Sequence, residues 1–361
     1  PMAEAIDQLR RYSDQRFASG EAGDHEGAPA LFNTNQLLIA TCFDDCRVGT
    51  IGAGASHYLP WKTVASAENP HQSETDVAKA LGVTKLSPQQ RTVAGLLAPV
   101  TLLDIVRHFT LFMSSGGQTL KRVCRYQQYR GVVKAVDRLK RGKTRIEDGE
   151  HDRRGGIIWH TQGSGKSLTM MFLVRRMRTD PALRRFKIVI VTDRTDLQKQ
   201  LAATAALSGD LVHVANKAAT LKKILRQEGP GLVFAMIQKY RDAEGKANAS
   251  DFEQLNTSQD ILVMVDEAHR TQAGDLHANL QAGLPNCARI GFTGTPIIMG
   301  EKKRTHEIFG EFIDKYTIRE SEADGATVPV LYEGRTAQGA VKDGSSLDEL
   351  FEDFFADRPQ E

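Results

Sequence analysis

A short run of glycine and hydroxyl residues ending in lysine and serine is the strongest chemical signal in the chain. The run is HTQGSGKS at 160–167, with His160 where such loops usually begin with glycine. Glycines let the backbone curl so that N–H groups point at phosphate oxygens, and a helix N-terminus adds partial positive charge. Lys166 is then placed to reach the β- and γ-phosphates, and the Ser167 hydroxyl to bind Mg²⁺. The run predicts an ATP-binding loop whose other contacts are Thr161, Gln162, Gly163, Ser164 and Gly165.

Two carboxylates follow directly on a fully apolar strand pattern. The pattern is ILVMV at 261–265, and it runs into Asp266 and Glu267. The carboxyl edge of a parallel sheet is where ligands bind, so these side chains are expected to face a site. Asp266 is expected to hold Mg²⁺, and Glu267 to polarise an attacking water as a general base. A solvated turn is the alternative for the acids alone, but a phosphate-binding loop requires such an acid.

Small polar residues follow a third strand pattern. Thr293, Gly294 and Thr295 stand in the segment FTGTP, at the end of the apolar stretch 288–293. Together with His269, which follows the acids, they are expected to respond to the state of the acid cluster. A plain turn is the alternative for this segment.

A fourth strand pattern, at 187–192, ends in Thr192 and is followed by Arg194. Their hydroxyl and guanidinium groups are of the kind that contacts a nucleic-acid phosphate backbone. A simple helix cap is an equally good interpretation of the same residues.

The order of apolar and amphipathic segments predicts the fold class. Strand patterns lie at 156–160, 187–192, 211–215, 232–237, 261–266 and 288–293, and helix patterns at 166–178, 195–206 and 217–227. Apolar strands that alternate with helices predict an α/β fold, a parallel sheet covered by helices on both faces. Upstream of it, helices are predicted at 4–16, 99–113 and 118–140, and strands at 35–41 and 47–53.

Composition excludes several classes of protein. The 361 residues are 40% hydrophobic and 25% charged, which is typical of a soluble globular chain. No apolar run approaches the roughly 20 residues of a membrane helix. Cys42 and Cys46 are four apart without a second pair nearby, so reduced thiols are a better interpretation of the four cysteines than a zinc site. These features indicate a cytoplasmic protein that does not contact a membrane.

The four motifs, in this order and spacing, resemble motifs I, Ia, II and III of superfamily-2 helicases and translocases. HTQGSGKS, VTDRTDLQKQL, VDEAHR and GFTGTP are closer still to the R (restriction and motor) subunit of type I restriction endonucleases, as is RYQQYRGV at 125–132. The resemblance implies a P-loop RecA-like fold and makes Gln128 the residue that reads adenine. A glutamine on a helix surface is the alternative for Gln128.

The N-terminal segment resembles the end of a nuclease domain of the PD-(D/E)xK type. Gln8 and Tyr12 match the family's QxxxY element, and the strands that follow match its next two strands. The resemblance divides the chain into a nuclease remnant at 1–85, the first RecA-like ATP-binding domain at 86–335, and a linker or the start of a second motor domain at 336–361. The nuclease's acidic pair and E-x-K element do not occur before Gln8.

The family resemblance also implies an activity and partners. The intact protein would couple hydrolysis of Mg-ATP to translocation and cleavage of double-stranded DNA, with modification and specificity subunits as partners. This chain is expected to bind Mg-ATP with little turnover, because a second motor domain is not recognised in it. Another superfamily-2 helicase or remodeller, and a nucleotide-binding fragment without catalysis, are the two alternatives.

A basic run beside the proposed loop could serve DNA binding. Residues 121–145 contain ten Lys and Arg residues and a single acid, Asp137. A patch that follows a phosphate backbone and a solvated helix face both fit this composition.

Overall fold

A parallel sheet of seven strands forms the centre of the protein in a computed structural model. The structure describes residues 1–13, 27–115, 118–192, 212–215, 217–236, 254–266, 268, 282–294 and 308–327. The sheet strands are β5 (Gly156–His160), β6 (Lys187–Thr192), β7 (Val212–Ala215), β8 (Gly231–Met236), β9 (Ile261–Val265), β10 (Ala288–Thr293) and β11 (Phe312–Tyr316). They lie in the order β11-β5-β10-β9-β6-β8-β7, and every pair is parallel. The predicted α/β class is confirmed, with β11 as a strand that the sequence patterns did not indicate.

Helices cover both faces of the sheet because successive strand side chains point to opposite sides. In β5, Ile158 joins the core on one face and Ile157 the core on the other, and both are fully buried. Burying one such side chain contributes about 1.5–3 kcal/mol. From residue 126 onward, the described helices are α5 (Tyr126–Arg141), α6 (Arg145–Asp148), α7 (Lys166–Thr179), α8 (Ala218–Arg226) and α9 (Ile318–Ala323).

Two predicted helices upstream of the sheet are wrong in part. The segment 99–113 forms α4 (Pro99–His108) and then a strand, β3 (Thr110–Ser115). The segment 118–140 begins as β4 (Gln118–Val123), which pairs antiparallel with β3, before α5 starts. A short apolar run does not distinguish a strand from a buried helix by periodicity, and pairing with a neighbouring strand decides it here.

The first part of the chain forms a small α/β unit. Its elements are α1 (Met2–Tyr12), β1 (Leu38–Thr41), β2 (Cys46–Gly49), α2 (Glu74–Ala80) and α3 (Pro88–Gly95), with 3₁₀ turns at Pro29–Phe32 and Ala55–His57. β1 and β2 pair antiparallel, and Ile6 of α1 packs on Leu38 and Ala40 of β1. Helix α1 and the strand pair confirm the element types predicted for this region.

Residues 1–327 form one compact unit and 328–361 a second, which lies outside the described residues. The domain boundaries near 85 and 335 stay predictions. Among the described helices, none is both long and apolar enough to cross a membrane. In the same part of the chain, no three His, Cys, Asp or Glu side chains are arranged to hold a metal ion.

Candidate nucleotide-binding site

The predicted phosphate-binding loop connects β5 to α7 in the conformation that its glycines allow. Gly163 and Gly165 have φ angles of 79° and 84°, in the left-handed region that other residues rarely adopt. Helix α7 begins directly after Gly165, so its free N–H groups face the loop. The Ser164 hydroxyl is buried and has no hydrogen-bond partner in the described part of the chain, which leaves a polar group available to a ligand.

The Lys166 ammonium lies inside this loop. Its Nζ donates a hydrogen bond of 3.4 Å to the carbonyl oxygen of His160, at the start of the loop. It also lies against Gly294, because a Cβ atom added at residue 294 would come within 2.7 Å of Nζ. The same Cβ would lie 3.2 Å from the backbone nitrogen of Gln162. The end of β10 and the loop after β5 are therefore in direct contact.

Asp266 extends from the end of β9, the neighbour of β10 in the sheet. Its side chain is buried, and the Thr192 hydroxyl at the end of β6 lies 3.5 Å from its Oδ2 atom. Thr192 is itself fully buried, so the DNA contact proposed for it from sequence is not supported by its position. The structure places Thr192 beside the acid instead. Thr293, at the end of β10, is also fully buried.

Gln128 connects helix α5 to the loop. Only 2% of its surface is exposed, so the alternative of a surface glutamine is wrong. Its Nε2 atom donates to the carbonyl oxygens of Gly165, at 3.0 Å, and Ser164, at 3.4 Å. Its Oε1 atom accepts a hydrogen bond of 2.8 Å from the backbone nitrogen of Arg125. The amide therefore holds the first turn of α5 against the loop.

A cavity of about 320 Å³ extends from the loop past Gln128. One wall consists of Gly163–Gly165, and another of Arg125 and Tyr126 at the start of α5. The far side is formed by residues 49–54 of the N-terminal unit. The Arg125 Nη1 atom is buried and has no hydrogen-bond partner among the residues that the structure describes, which again leaves a donor for a ligand.

His160 takes part in a buried network that the sequence did not reveal. Its Nε2 atom lies 3.0 Å from Oδ2 of Asp314 in β11, and both side chains are buried. Asp314 also accepts hydrogen bonds from Arg130, at 2.8 Å, and Lys134, at 2.9 Å. This cluster anchors the first residue of the loop to β11 and α5.

The charges in this network are set by burial and by its partners. Burial lowers the pKa of His160, and the hydrogen bond that the imidazole donates to Asp314 offsets this only in part, so the imidazole is neutral at pH 7. Burial acts to raise the pKa of Asp314, but the hydrogen bond from His160 and the charges of Arg130 and Lys134 outweigh it. The carboxyl pKa therefore lies well below its usual range.

The basic run at 121–145 is largely engaged within the protein. Arg130, Lys134, Lys140 and Arg141 each lie within 2.8–3.0 Å of a carboxylate. Lys121 donates to the carbonyl oxygen of Asn35 and to the Gln36 side chain. These contacts favour the interpretation as a helix face and intramolecular ion pairs over a continuous DNA-binding patch.

Other predicted site residues are placed as follows. Gln8 and Tyr12 lie one turn apart on α1, and the Gln8 amide donates to the Tyr12 hydroxyl. Ser167 is in the first turn of α7. Glu267, His269, Thr295 and Arg194 lie outside the described residues.

A sequence model of the SWI2/SNF2 ATPase family matches residues 127–361. The type I restriction enzyme HindI endonuclease subunit of Haemophilus influenzae is 35% identical over 351 residues, which cover 92% of this chain and 31% of that subunit. The SsaAORF53P endonuclease subunit of Staphylococcus saprophyticus is 29% identical, over 89% of this chain and 31% of its own length. The chain thus spans about a third of the length of these relatives.

Among solved structures, a nuclease-deletion mutant of the Type ISP restriction-modification enzyme LlaGI, in complex with a DNA substrate mimic, matches 56% of this chain and 20% of its own. Its TM-score is 0.37, with 17% sequence identity. The match of the family model covers well over half of the chain and includes the loop, Asp266 and Gly294. The match to the HindI endonuclease subunit extends over 92% of the chain. The chain belongs to the SWI2/SNF2 ATPase family, and its curated relatives include endonuclease (R) subunits of type I restriction enzymes.

Proposed function

We propose that this chain is the nucleotide-binding half of the motor of a type I restriction enzyme R subunit. In the intact protein, hydrolysis of Mg-ATP would drive translocation of double-stranded DNA, and modification and specificity subunits would be its partners. The α1 and β1–β2 unit would be the end of the nuclease domain, with Gln8 and Tyr12 as its QxxxY element. The family match and the R-subunit relatives support this proposal.

The contact of Lys166 with Gly294 is the observation that carries the proposal. Three adjacent strands, β5, β10 and β9, deliver the lysine, the glycine and Asp266 to the same sheet edge. A lysine that only balanced a surface charge would have no reason to fill the space left by a missing side chain. Its enclosure supports a fixed position that meets the β- and γ-phosphates.

The residues present fit ATP and Mg²⁺. The loop N–H groups and the Ser164 hydroxyl suit phosphate oxygens, and the cavity beside Gln128 and Arg125 has room for the base. Asp266 and the Ser167 hydroxyl supply the oxygen ligands that Mg²⁺ prefers. When bound, the metal would neutralise charge that develops on the phosphates. We propose that Glu267 orients the attacking water and that His269, Thr293 and Thr295 couple this site to DNA, with Arg194 on the DNA side.

The test is calorimetry of Mg-ATP binding to the Lys166→Ala variant. Loss of the ammonium should abolish measurable binding, because it removes the enclosed positive charge that would pair with the β- and γ-phosphates. Lys140→Ala is the control, since Lys140 forms an ion pair of 3.0 Å with Asp180 at the far end of α7. Unchanged ATP affinity in Lys166→Ala would show that the phosphate site is elsewhere.

A further inference from the structure

A buried carboxylate joins the N-terminal unit to the nucleotide-binding region. Asp324, at the end of α9, is only 3% exposed. Its Oδ2 atom accepts hydrogen bonds from the hydroxyls of Tyr126, at 2.8 Å, and Tyr316, at 2.9 Å. Its Oδ1 atom forms an ion pair with the ammonium of Lys62. Three segments that are far apart in the sequence therefore converge on one side chain.

Both tyrosines lead directly to the candidate site. Tyr126 is the first residue of α5, lines the cavity, and stands two residues before Gln128. The backbone oxygen of Tyr316 accepts a hydrogen bond of 2.9 Å from the backbone nitrogen of Thr161 in the loop. Asp324 thus contacts Tyr126 of α5, which lines the cavity, and Tyr316 of β11, whose backbone holds the loop.

Both tyrosines act as fixed donors. Burial and the charge of Asp324 raise the pKa of Tyr126 well above its usual value, and the same two causes raise that of Tyr316. The hydroxyls are therefore protonated at neutral pH, so both can donate hydrogen bonds to the carboxylate.

Lys62 brings the N-terminal unit into this arrangement. The preceding residue is Trp61, and the centroid of its ring lies 5.8 Å from the ring centroid of Tyr129 in α5. The Trp61 indole nitrogen donates to the carbonyl oxygen of Thr63 at 2.8 Å, which fixes the direction of the segment. That carbonyl lies so close to Gly95 of α3 that a Cβ atom there would come within 2.1 Å of it. The segment at 61–63 therefore packs against both α3 and α5.

Stability alone is a weak explanation for this junction. An ion pair between a buried carboxylate and a partly exposed lysine gains little net free energy, because removing the carboxylate from water costs about as much as the attraction returns. An apolar contact would hold α9 to α5 equally well. The carboxylate instead fixes the relative orientation of its partners, because two hydroxyls and one ammonium all point at its two oxygen atoms.

We infer that Asp324, held by Lys62, is a positioning residue that sets α5 and its Gln128–Arg125 face at the distance the nucleotide base requires. This inference rests on the proposed function, in which the cavity beside Gln128 receives the base. The N-terminal unit then contributes to nucleotide affinity through Lys62 as well as through the cavity wall at 49–54.

The experiment compares ATP with inorganic tripolyphosphate, each with Mg²⁺, by calorimetry on the full chain. Tripolyphosphate occupies the loop and has no base, so it reports on the phosphate site alone. Asp324→Asn keeps an oxygen for the tyrosines and loses the charge, and Lys62→Met leaves the carboxylate in place. Both variants should weaken ATP binding by about fivefold to twentyfold, the effect of one misplaced charge-assisted hydrogen bond, and change tripolyphosphate affinity by less than about twofold.

Asp180→Asn is the matched control, because Asp180 is also a buried acid that is paired with a half-exposed lysine. It should leave the ratio of the two affinities unchanged. Equal losses for ATP and tripolyphosphate in Lys62→Met, or no change in either, would overturn the inference, and Lys62→Met decides it if Asp324→Asn does not fold. Failure of the wild-type chain to bind either ligand would instead refute the proposed function on which the inference depends.

Discussion

The Nζ atom of Lys166 occupies the space that the missing side chain of Gly294 leaves, 2.7 Å from where a Cβ atom would stand. The two residues are 128 positions apart in the chain and meet because β5 and β10 are neighbours in the sheet. Any side chain at residue 294 therefore competes directly with the lysine for its position.

Gly294→Ala should weaken binding of Mg-ATP. The added methyl group displaces the lysine ammonium and also approaches the Gln162 backbone nitrogen at 3.2 Å, which is less able to move. A loss of about tenfold in affinity, equal to about 1.4 kcal/mol, is expected by calorimetry. Gly231→Ala is the control, because nothing lies within 4 Å of a Cβ atom there. Equal affinity in the two variants would contradict the prediction.

Gly165→Ala should disrupt the loop through two separate effects. A non-glycine residue at its φ of 84° costs about 1–3 kcal/mol, and the Cβ atom would also lie 2.5 Å from the Gln128 Nε2 atom. Gly149 has a φ of 87° with nothing within 4 Å, so Gly149→Ala carries the backbone strain alone. Thermal unfolding should show a loss of stability in both variants, whereas ATP affinity should fall only in Gly165→Ala. A similar drop in affinity for Gly149→Ala would show that general instability, not the loop, is responsible.

Asp266→Asn should separate metal binding from nucleotide binding. Asparagine keeps the shape and an oxygen near Thr192 but removes the negative charge that attracts Mg²⁺. We expect ATP affinity measured with excess chelator to be unchanged and the gain on adding Mg²⁺ to fall by about tenfold or more. Asp260→Asn, at the opposite end of the same strand, removes an acid that pairs with Arg185 and should keep the full gain. A full Mg²⁺ effect in Asp266→Asn would exclude this acid as a ligand.

The network around His160 should make stability depend on pH in a defined window. The pKa of the folded imidazole lies below the unfolded value of about 6.5. The unfolded state therefore takes up a proton first, so this part of the stability is present above about pH 6.5 and lost as the pH falls below it. Asp314, whose pKa is also lowered, loses its contribution only at still lower pH, below about 3.9. Between pH 7 and 5, His160 is therefore the one of these two groups whose titration changes the free energy of unfolding.

His160→Gln tests this window, because glutamine can still donate to Asp314 and does not titrate. Urea unfolding at pH 7, 6 and 5 should show a smaller acid loss in the variant than in the wild type. The difference grows by at most about 1.4 kcal/mol for each pH unit between the unfolded and the folded pKa, and is constant below the folded pKa. Parallel losses in both proteins would mean that the pKa of His160 is not lowered in the folded state.

Local patterns of residues were sufficient to predict where Lys166 and Asp266 lie in the fold. The strand–loop–helix order around 160–167 identified Lys166, and the apolar run before Asp266 identified a strand end at the carboxyl edge of a sheet. These signals depend only on neighbouring residues, since a glycine-rich turn and an apolar strand can each be recognised from the types and spacing of consecutive residues. The structure places Lys166 directly after β5 and its loop, and Asp266 directly after the buried strand β9, while their roles in ATP binding stay predictions.

The β3–β4 hairpin and β11 show where local signals fail. The apolar stretch at 109–113 fits either helix or strand, and only its partner strand settles the choice. In β11 the charged Asp314 occurs in the middle of an edge strand and is buried there. Burial of a carboxylate is stable only with partners, and here they come from α5 and from His160.

The sequence by itself determined the fold class, the position of the glycine-rich loop after β5, and the acid at the end of β9, because each is written in contiguous residues. The tertiary structure alone decided what these residues touch: Lys166 against Gly294, Gln128 on the loop carbonyls, and Thr192 beside Asp266 instead of at the surface. Such contacts join positions dozens to hundreds of residues apart. They follow from strand order and helix packing, which no local pattern of residue types encodes.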